Sequence, residues 1–197
     1  MTRMLMFAAL LVVGLWPVFA REVRAEDEIV TALEDAREAW RAGDALRAYE
    51  AAYDAMVRLF QEIPLQVRTI AFVTGEPAGY GMYEPRPDNR FRPGERMLLY
   101  LEPLGYRIVQ RDDMYEYGLS ADLLLLTPDG RVLGGQENFF HQNFSGHVPA
   151  TQTYLVFNVE LTGLPAGAYQ LAFVIHDLYS PDQSTRVRVP MIVTDAQ

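Results

Sequence analysis

Leu164-Pro165-Ala166-Gly167-Ala168-Tyr169-Gln170-Leu171-Ala172-Phe173-Val174-Ile175-His176-Asp177 is the stretch on which the fold turns. From Tyr169 onward it is dominated by aromatic, aliphatic and β-branched residues. A polar turn follows, and then Arg186-Val187-Arg188-Val189-Pro190-Met191-Ile192-Val193 opens with charged and apolar residues in alternation. Period-2 alternation is the mark of a strand with one face buried. Working outward, the chain keeps this grammar from Gln66 on, with short β-rich runs separated by Gly, Pro and Asp. The expected strands are 67–73, 96–102, 121–127, 132–140, 154–161, 169–177 and 185–193, at spacings that suit an antiparallel sandwich. Thr127-Pro128-Asp129-Gly130 places Pro and Gly where a hairpin turn requires them. Leu123 to Leu126 form an unbroken apolar run, which predicts a strand buried on both faces.

Residues 26–63 read differently. Ile29, Leu33, Ala36 and Trp40 recur at helical spacing, and after a break Leu46, Tyr49, Tyr53, Met56 and Phe60 do the same. Between them Gly43 supplies the left-handed residue that ends one helix, and Asp44 can accept amide hydrogen bonds to start the next. The expectation is a helical hairpin, with one continuous helix as its rival. Pro64 ends the unit in either case. The string Ala39-Trp40-Arg41-Ala42-Gly43-Asp44, with Ala48 and Ala55, resembles one tetratricopeptide-type repeat.

The quoted stretch also carries a resemblance. Leu164-x-x-Gly167-x-Tyr169 entering a strand is similar to the penultimate strand of immunoglobulin-like domains, and the resemblance implies that the Tyr169 hydroxyl bonds back to the preceding loop as a tyrosine corner. Cysteines and a central Trp of the antibody type are missing. The chain further resembles exported bacterial proteins of unassigned function, with Pro93-Gly94-Glu95 opening an early strand. The fold class expected is mainly β with an N-terminal α unit: a helical hairpin packed on an immunoglobulin-like antiparallel β-sandwich. Its divisions are 1–25 signal peptide, 26–64 hairpin and 65–197 sandwich.

The leader is read from Arg3 followed by the uncharged, mostly apolar run 4–20. Cleavage sites end at Ala20 or Ala25, with Ala25 preferred because Glu26-Asp27-Glu28 follows, and an uncleaved anchor is the alternative. This predicts a periplasmic or secreted protein. Of the 197 residues none is Cys, which excludes disulfides, thiolate metal sites and a cysteine nucleophile. All 17 basic residues are Arg, so Schiff-base chemistry and a P-loop lysine are excluded as well. Removal of 1–25 leaves 14 Arg against 25 acidic residues, a formal charge of −11, which repels phosphate backbones and anionic lipid. The partners expected are therefore a protein or polymer of the cell envelope, with no nucleic acid and no stable membrane insertion.

Chemistry is sought in the loops. Residues 75–95 hold Tyr80, Tyr83, Arg86, Arg90, Phe91 and Arg92 among several prolines, and aromatic and guanidinium side chains favour recognition. These six are the candidate partner-binding residues. The bland reading is a long loop folded over the sandwich, with Tyr80 and Phe91 packing and the arginines paired to Glu76, Glu84 and Asp88. Tyr106 and Met114-Tyr115-Glu116-Tyr117 form a second aromatic stretch that either faces the same partner or is a half-buried strand edge. His141 and His147 are the candidates for a metal-assisted enzyme or sensor, although their spacing fits no strong ligand pattern. None of the four serines lies in a nucleophile elbow. No catalytic residue, metal or cofactor is expected. The functional expectation is an exported, non-catalytic interaction module using the Tyr and Arg loop, with the histidine site, or a structural subunit docking through its hairpin, as alternatives.

Overall fold

A computed structural model describes residues 16–195, with side chains from residue 26 onward. Residues 1–15 of the expected signal peptide lie outside the described residues. Residues 16–25 open helix α1 (Trp16–Arg41), which runs on past both expected cleavage points and is followed by α2 (Ala45–Glu62). Among the described residues no helix is long and apolar enough to cross a membrane. The chain divides into two compact units between Leu59 and Phe60.

In the first unit the helices reverse at Gly43, whose φ of 80° only glycine adopts readily, and Asp44 Oδ1 accepts the Arg47 amide at 3.0 Å as an N-cap. The buried positions are Ala32, Ala39, Ala48 and Ala55. Ala39 and Ala48 lie equidistant from the turn, as do Ala32 and Ala55, so small residues form the helix–helix seam. Arg58 ties the hairpin across to Glu28 at 2.7 Å and along α2 to Asp54 at 2.7 Å. Of the periodic large residues, Leu33, Trp40, Leu46, Tyr49 and Met56 are exposed, with Trp40 at 70% and Tyr49 at 68%, Ile29 and Tyr53 are half-buried, and Phe60 alone is buried. The tetratricopeptide resemblance is corrected too. Helices of 26 and 18 residues exceed a motif that fits two helices and their turns into about 34.

Among its described residues the second unit holds nine strands: β1 (Gln66–Val73), β2 (Arg90–Phe91), β3 (Met97–Leu104), β4 (Val109–Arg111), β5 (Met114–Leu126), β6 (Val132–Gly146), β7 (Leu155–Val159), β8 (Gly167–Asp177) and β9 (Ser184–Val193). One sheet is β1-β3-β7. The other runs β2-β9-β8-β5-β4, with β6 also pairing β5. On β5 the alternation puts Leu119, Ala121, Leu123 and Leu125 into the core. They meet Leu99, Leu101 and Phe157 of the smaller sheet and Leu171, Phe173 and Ile175 of β8, and Phe157 and Phe173 pack at 4.9 Å between ring centroids. Phe60, the last apolar residue of α2, belongs to this core and meets Tyr106 edge-on at 4.8 Å.

The mainly β class with two N-terminal helices stands. The immunoglobulin-like assignment does not. β2 pairs β9 in parallel, which makes the larger sheet mixed. The long β5–β6 pairing shifts register between Ala121 and Leu123 and again between Leu125 and Leu126, and this sheet curls. The local corner is present by itself: the Tyr169 hydroxyl donates to the Pro165 carbonyl at 2.9 Å. Such a corner fixes the entry to one strand, and it leaves the number and direction of the other strands open.

Candidate functional site

The segment from residue 74 to residue 96 is folded against the strands, and strand alternation sorts its side chains. At β2, Phe91 turns inward and is 2% exposed, so its neighbours Arg90 and Arg92 turn outward. β2 is held in place from β9: the Thr194 amide donates to the Phe91 carbonyl at 2.8 Å, and the Ile192 amide to the Asn89 carbonyl at 2.9 Å. Arg86 braces the segment from the other side. Its guanidinium donates to Glu95 Oε1 at 2.9 Å and to the Arg90 carbonyl at 2.9 Å, and lies 4.5 Å from the Phe91 ring centroid. Glu95 accepts the Arg92 amide through its other oxygen at 2.8 Å, and Asp88 accepts the Arg90 amide at 3.0 Å.

The result is an open cleft of about 1140 Å³ between this segment and the ends of β8 and β9, with Gly167 and Thr194 on its far wall. Three carboxylates lie in its wall: Asp88 and Glu95 are engaged by main-chain amides, Glu95 also by Arg86, and Asp195 is exposed. Among the described residues no carboxylate pairs with the guanidinium of Arg90 or of Arg92. Two always-charged, planar donors thus share one cleft and are open to an anion, and guanidinium geometry suits the paired oxygens of carboxylate or phosphate.

The remaining predicted residues go elsewhere. Tyr83 stacks on Tyr100 at 4.2 Å, and Tyr100 in turn stacks on Tyr154 at 5.5 Å, on the face of the smaller sheet turned away from the main core. Tyr80 accepts a hydrogen bond from Arg68. Arg68 also pairs with the buried Glu102 at 2.8 Å, which accepts from Thr69 at 2.9 Å and from the Tyr100 hydroxyl at 2.8 Å. Burial raises the Tyr100 phenol to about 12, and the bond to Glu102 adds to this. Burial pushes Glu102 upward, yet the hydrogen bonds from Arg68, Tyr100 and Thr69 outweigh it and hold the carboxyl below its ordinary value. Phe91 is buried and Tyr80 lies against Arg68, while among the described residues the arginines of the loop do not pair with Glu76, Glu84 or Asp88: Arg86 takes Glu95 instead. The second aromatic stretch is not the half-buried strand edge expected: Tyr106 is fully buried, stacks on the buried Tyr117 at 4.7 Å and donates to the Ala150 carbonyl at 2.7 Å, and the strand that carries Tyr117 pairs with β6 on one side and β8 on the other.

The histidine alternative is corrected. His141 lies on β6 and His147 just past its end, about 20 Å apart at the rise of an extended chain, too far to share an ion. Among the described residues no group of three or more His, Asp and Glu could hold a metal. His176 bonds Asp122 instead, at 2.9 Å on the outer face of the larger sheet. Asp122 is held below its ordinary value first by the Asn138 amide and then by His176. The sequence showed no sign of this pair, because the residues are 54 positions apart and meet only through the β5–β8 register.

No protein-family model and no curated protein matches the chain. Among solved structures it is similar to the Pseudomonas fluorescens alkylpurine DNA glycosylase AlkC bound to DNA containing an abasic site analog, at 6% identity and a TM-score of 0.36. The match covers 77% of this chain and 39% of that one. That neighbour is an enzyme, and it is bound to DNA. The expectations of a non-catalytic exported module, of a cell-envelope protein or polymer as partner and of no nucleic acid are accordingly withdrawn. At this TM-score the likeness assigns neither activity nor ligand to the present chain.

Proposed function

We propose that this chain recognises an anionic ligand, one bearing a carboxylate or phosphate group, in the cleft at β2. The supporting observation is the pair Arg90 and Arg92, projected to the same side of β2 by the inward turn of Phe91 and without carboxylate partners, while Arg86 is committed to holding the segment. Charge-assisted hydrogen bonds contribute about 1.5–3 kcal/mol each, so two of them correspond to affinities from several millimolar to tens of micromolar. The chain carries a formal −9, which disfavours anions over most of its surface, and the two outward guanidinium groups offset this locally at the cleft.

Calorimetric titration with inorganic phosphate, citrate and a short single-stranded oligonucleotide tests the reading and separates free from polymeric anions. Saturable binding of at least one, weakened about tenfold or more in Arg90→Ala/Arg92→Ala, is the expected result. No saturation by any of them, or equal affinity in the double variant, contradicts it.

A further inference from the structure

The inward turn of Phe91 fixes more than the cleft. β2 pairs β9 in parallel, with Arg90 level with Ile192 and Phe91 with Val193, and residues paired in this way share a face of the sheet. On β9 Val187, Val189, Met191 and Val193 pack into the core, so Arg186, Arg188, Pro190 and Ile192 stand on the outer face together with Arg90. Elsewhere in this unit Arg68, Arg86, Arg96 and Arg111 are paired with acids. Among the described residues no carboxylate pairs with Arg186 or Arg188. Four free guanidinium groups therefore follow one path, in two pairs. At the rise of a strand the members of each pair stand about 7 Å apart, about 13 Å separates Arg188 from Arg90, and the whole path runs about 27 Å. Arg188 leans over β8 as far as Gly130, which makes the path a band and not a line. Neither β9 nor the outward-facing residues of β8 include an acid. Asp88, Glu95 and Asp195 stand at the cleft end, and Asp122, beyond β8, is engaged by His176 and by the Asn138 amide.

We propose that the anion recognised at the cleft is a phosphate of a single-stranded nucleic acid, whose backbone continues from Arg90 and Arg92 along β9 to Arg188 and Arg186. This rests on the anion reading of the cleft and adds the polymer to it. The spacing of the charges selects the polymer. Between the two pairs the floor is Pro190 and Ile192, apolar and uncharged, which suits a chain whose phosphates alternate with neutral sugars and bases. A chain charged at every unit, such as inorganic polyphosphate, would leave phosphates over Pro190 and Ile192 without a partner. The same floor favours one strand over two, because unpaired bases can lay their faces on it while a duplex keeps them stacked inside. Guanidinium groups bind phosphate oxygens in pairs, and phosphate contacts carry no sequence information, so recognition is indifferent to sequence and sensitive to salt.

Fluorescence anisotropy of an end-labelled twelve-nucleotide oligothymidylate with the full chain tests it, beside a calorimetric titration with inorganic phosphate. Four phosphate contacts predict that raising salt from about 50 to about 200 mM weakens oligothymidylate binding about 50-fold, and Arg186→Ala/Arg188→Ala, which leaves two contacts, should reduce that to about sevenfold. Both side chains are exposed and unpaired, so the variant folds, and its affinity for inorganic phosphate should equal that of the parent. Inorganic polyphosphate of twelve units and the duplex form of the oligonucleotide should each bind about tenfold more weakly than the single strand. Oligothymidylate binding that Arg186→Ala/Arg188→Ala does not weaken, or polyphosphate or duplex bound as tightly as the single strand, overturns the polymer and leaves the cleft reading standing. Equal oligothymidylate affinity in Arg90→Ala/Arg92→Ala and parent contradicts the cleft reading, and the polymer falls with it.

Discussion

Glu102 is a carboxylate enclosed by its own hydrogen-bond partners, and its contribution to stability depends on pH in a definite direction. Because its folded value lies below the ordinary 4.5, its stabilising effect is complete above that value and is lost as pH falls through the lower folded value. Glu102→Gln should cost about 1–2 kcal/mol at neutral pH, a modest figure because Arg68 is half exposed, and should flatten the acid limb of a plot of melting temperature against pH. An unchanged acid limb would show that the network does not titrate. The arginines of the cleft separate in the same way. Arg86→Ala removes an ion pair, a bond to the Arg90 carbonyl and a ring contact, and should lower stability by about 1–3 kcal/mol in chemical denaturation. Arg90→Ala and Arg92→Ala, with no carboxylate partner to lose, should stay within about 0.5 kcal/mol of the parent. The sequence placed all three in one loop and read them alike. What distinguishes them is a two-residue strand, and its trace in the sequence is the alternation Arg90-Phe91-Arg92.

At the level of elements, the alternating runs were legible because each has one face in the core. Strands β8 and β9 start within two residues of where alternation puts them. β5 is expected as a regular strand only from residue 121, with Met114-Tyr115-Glu116-Tyr117 read as a contact surface or a strand edge, because residues 114–120 mix large and small side chains and hide their period. β6 continues six residues beyond its expected end, as an edge strand with little burial imposes little pattern. The helices were legible as a hairpin, but the faces were misjudged, since alanines spaced for close approach outrank large residues at the seam. Gly105, at the turn after β3, is a junction that propensity alone does not reveal. It has a φ of 74°, and a Cβ there would stand 2.2 Å from the Ile63 carbonyl oxygen. Gly105→Ala combines a left-handed penalty with a backbone clash and should cost about 2–5 kcal/mol in equilibrium unfolding. A loss below about 1 kcal/mol would mean that the turn relaxes freely.

Across the whole molecule, composition fixed what the chain cannot do more firmly than what it does. Without Cys or Lys, its candidate chemistry falls to guanidinium, imidazole, carboxylate and hydroxyl groups. The curl and mixed pairing of the larger sheet were out of reach of the sequence, because they arise from bulges on β6 and from a two-residue parallel pairing, neither of which leaves a periodic signal. Those same features place the cleft at one sheet edge and an open strand at the other.

The anion reading rests on two guanidinium groups acting together, and their own side-chain resonances report on them directly. In a titration of arginine-labelled protein with whichever of phosphate, citrate or oligonucleotide binds, followed by the arginine Nε–Hε signals, Arg90 and Arg92 should shift together and saturate at one dissociation constant. Signals of Arg90 and Arg92 that stay still while others move, or that drift without saturating, would contradict it.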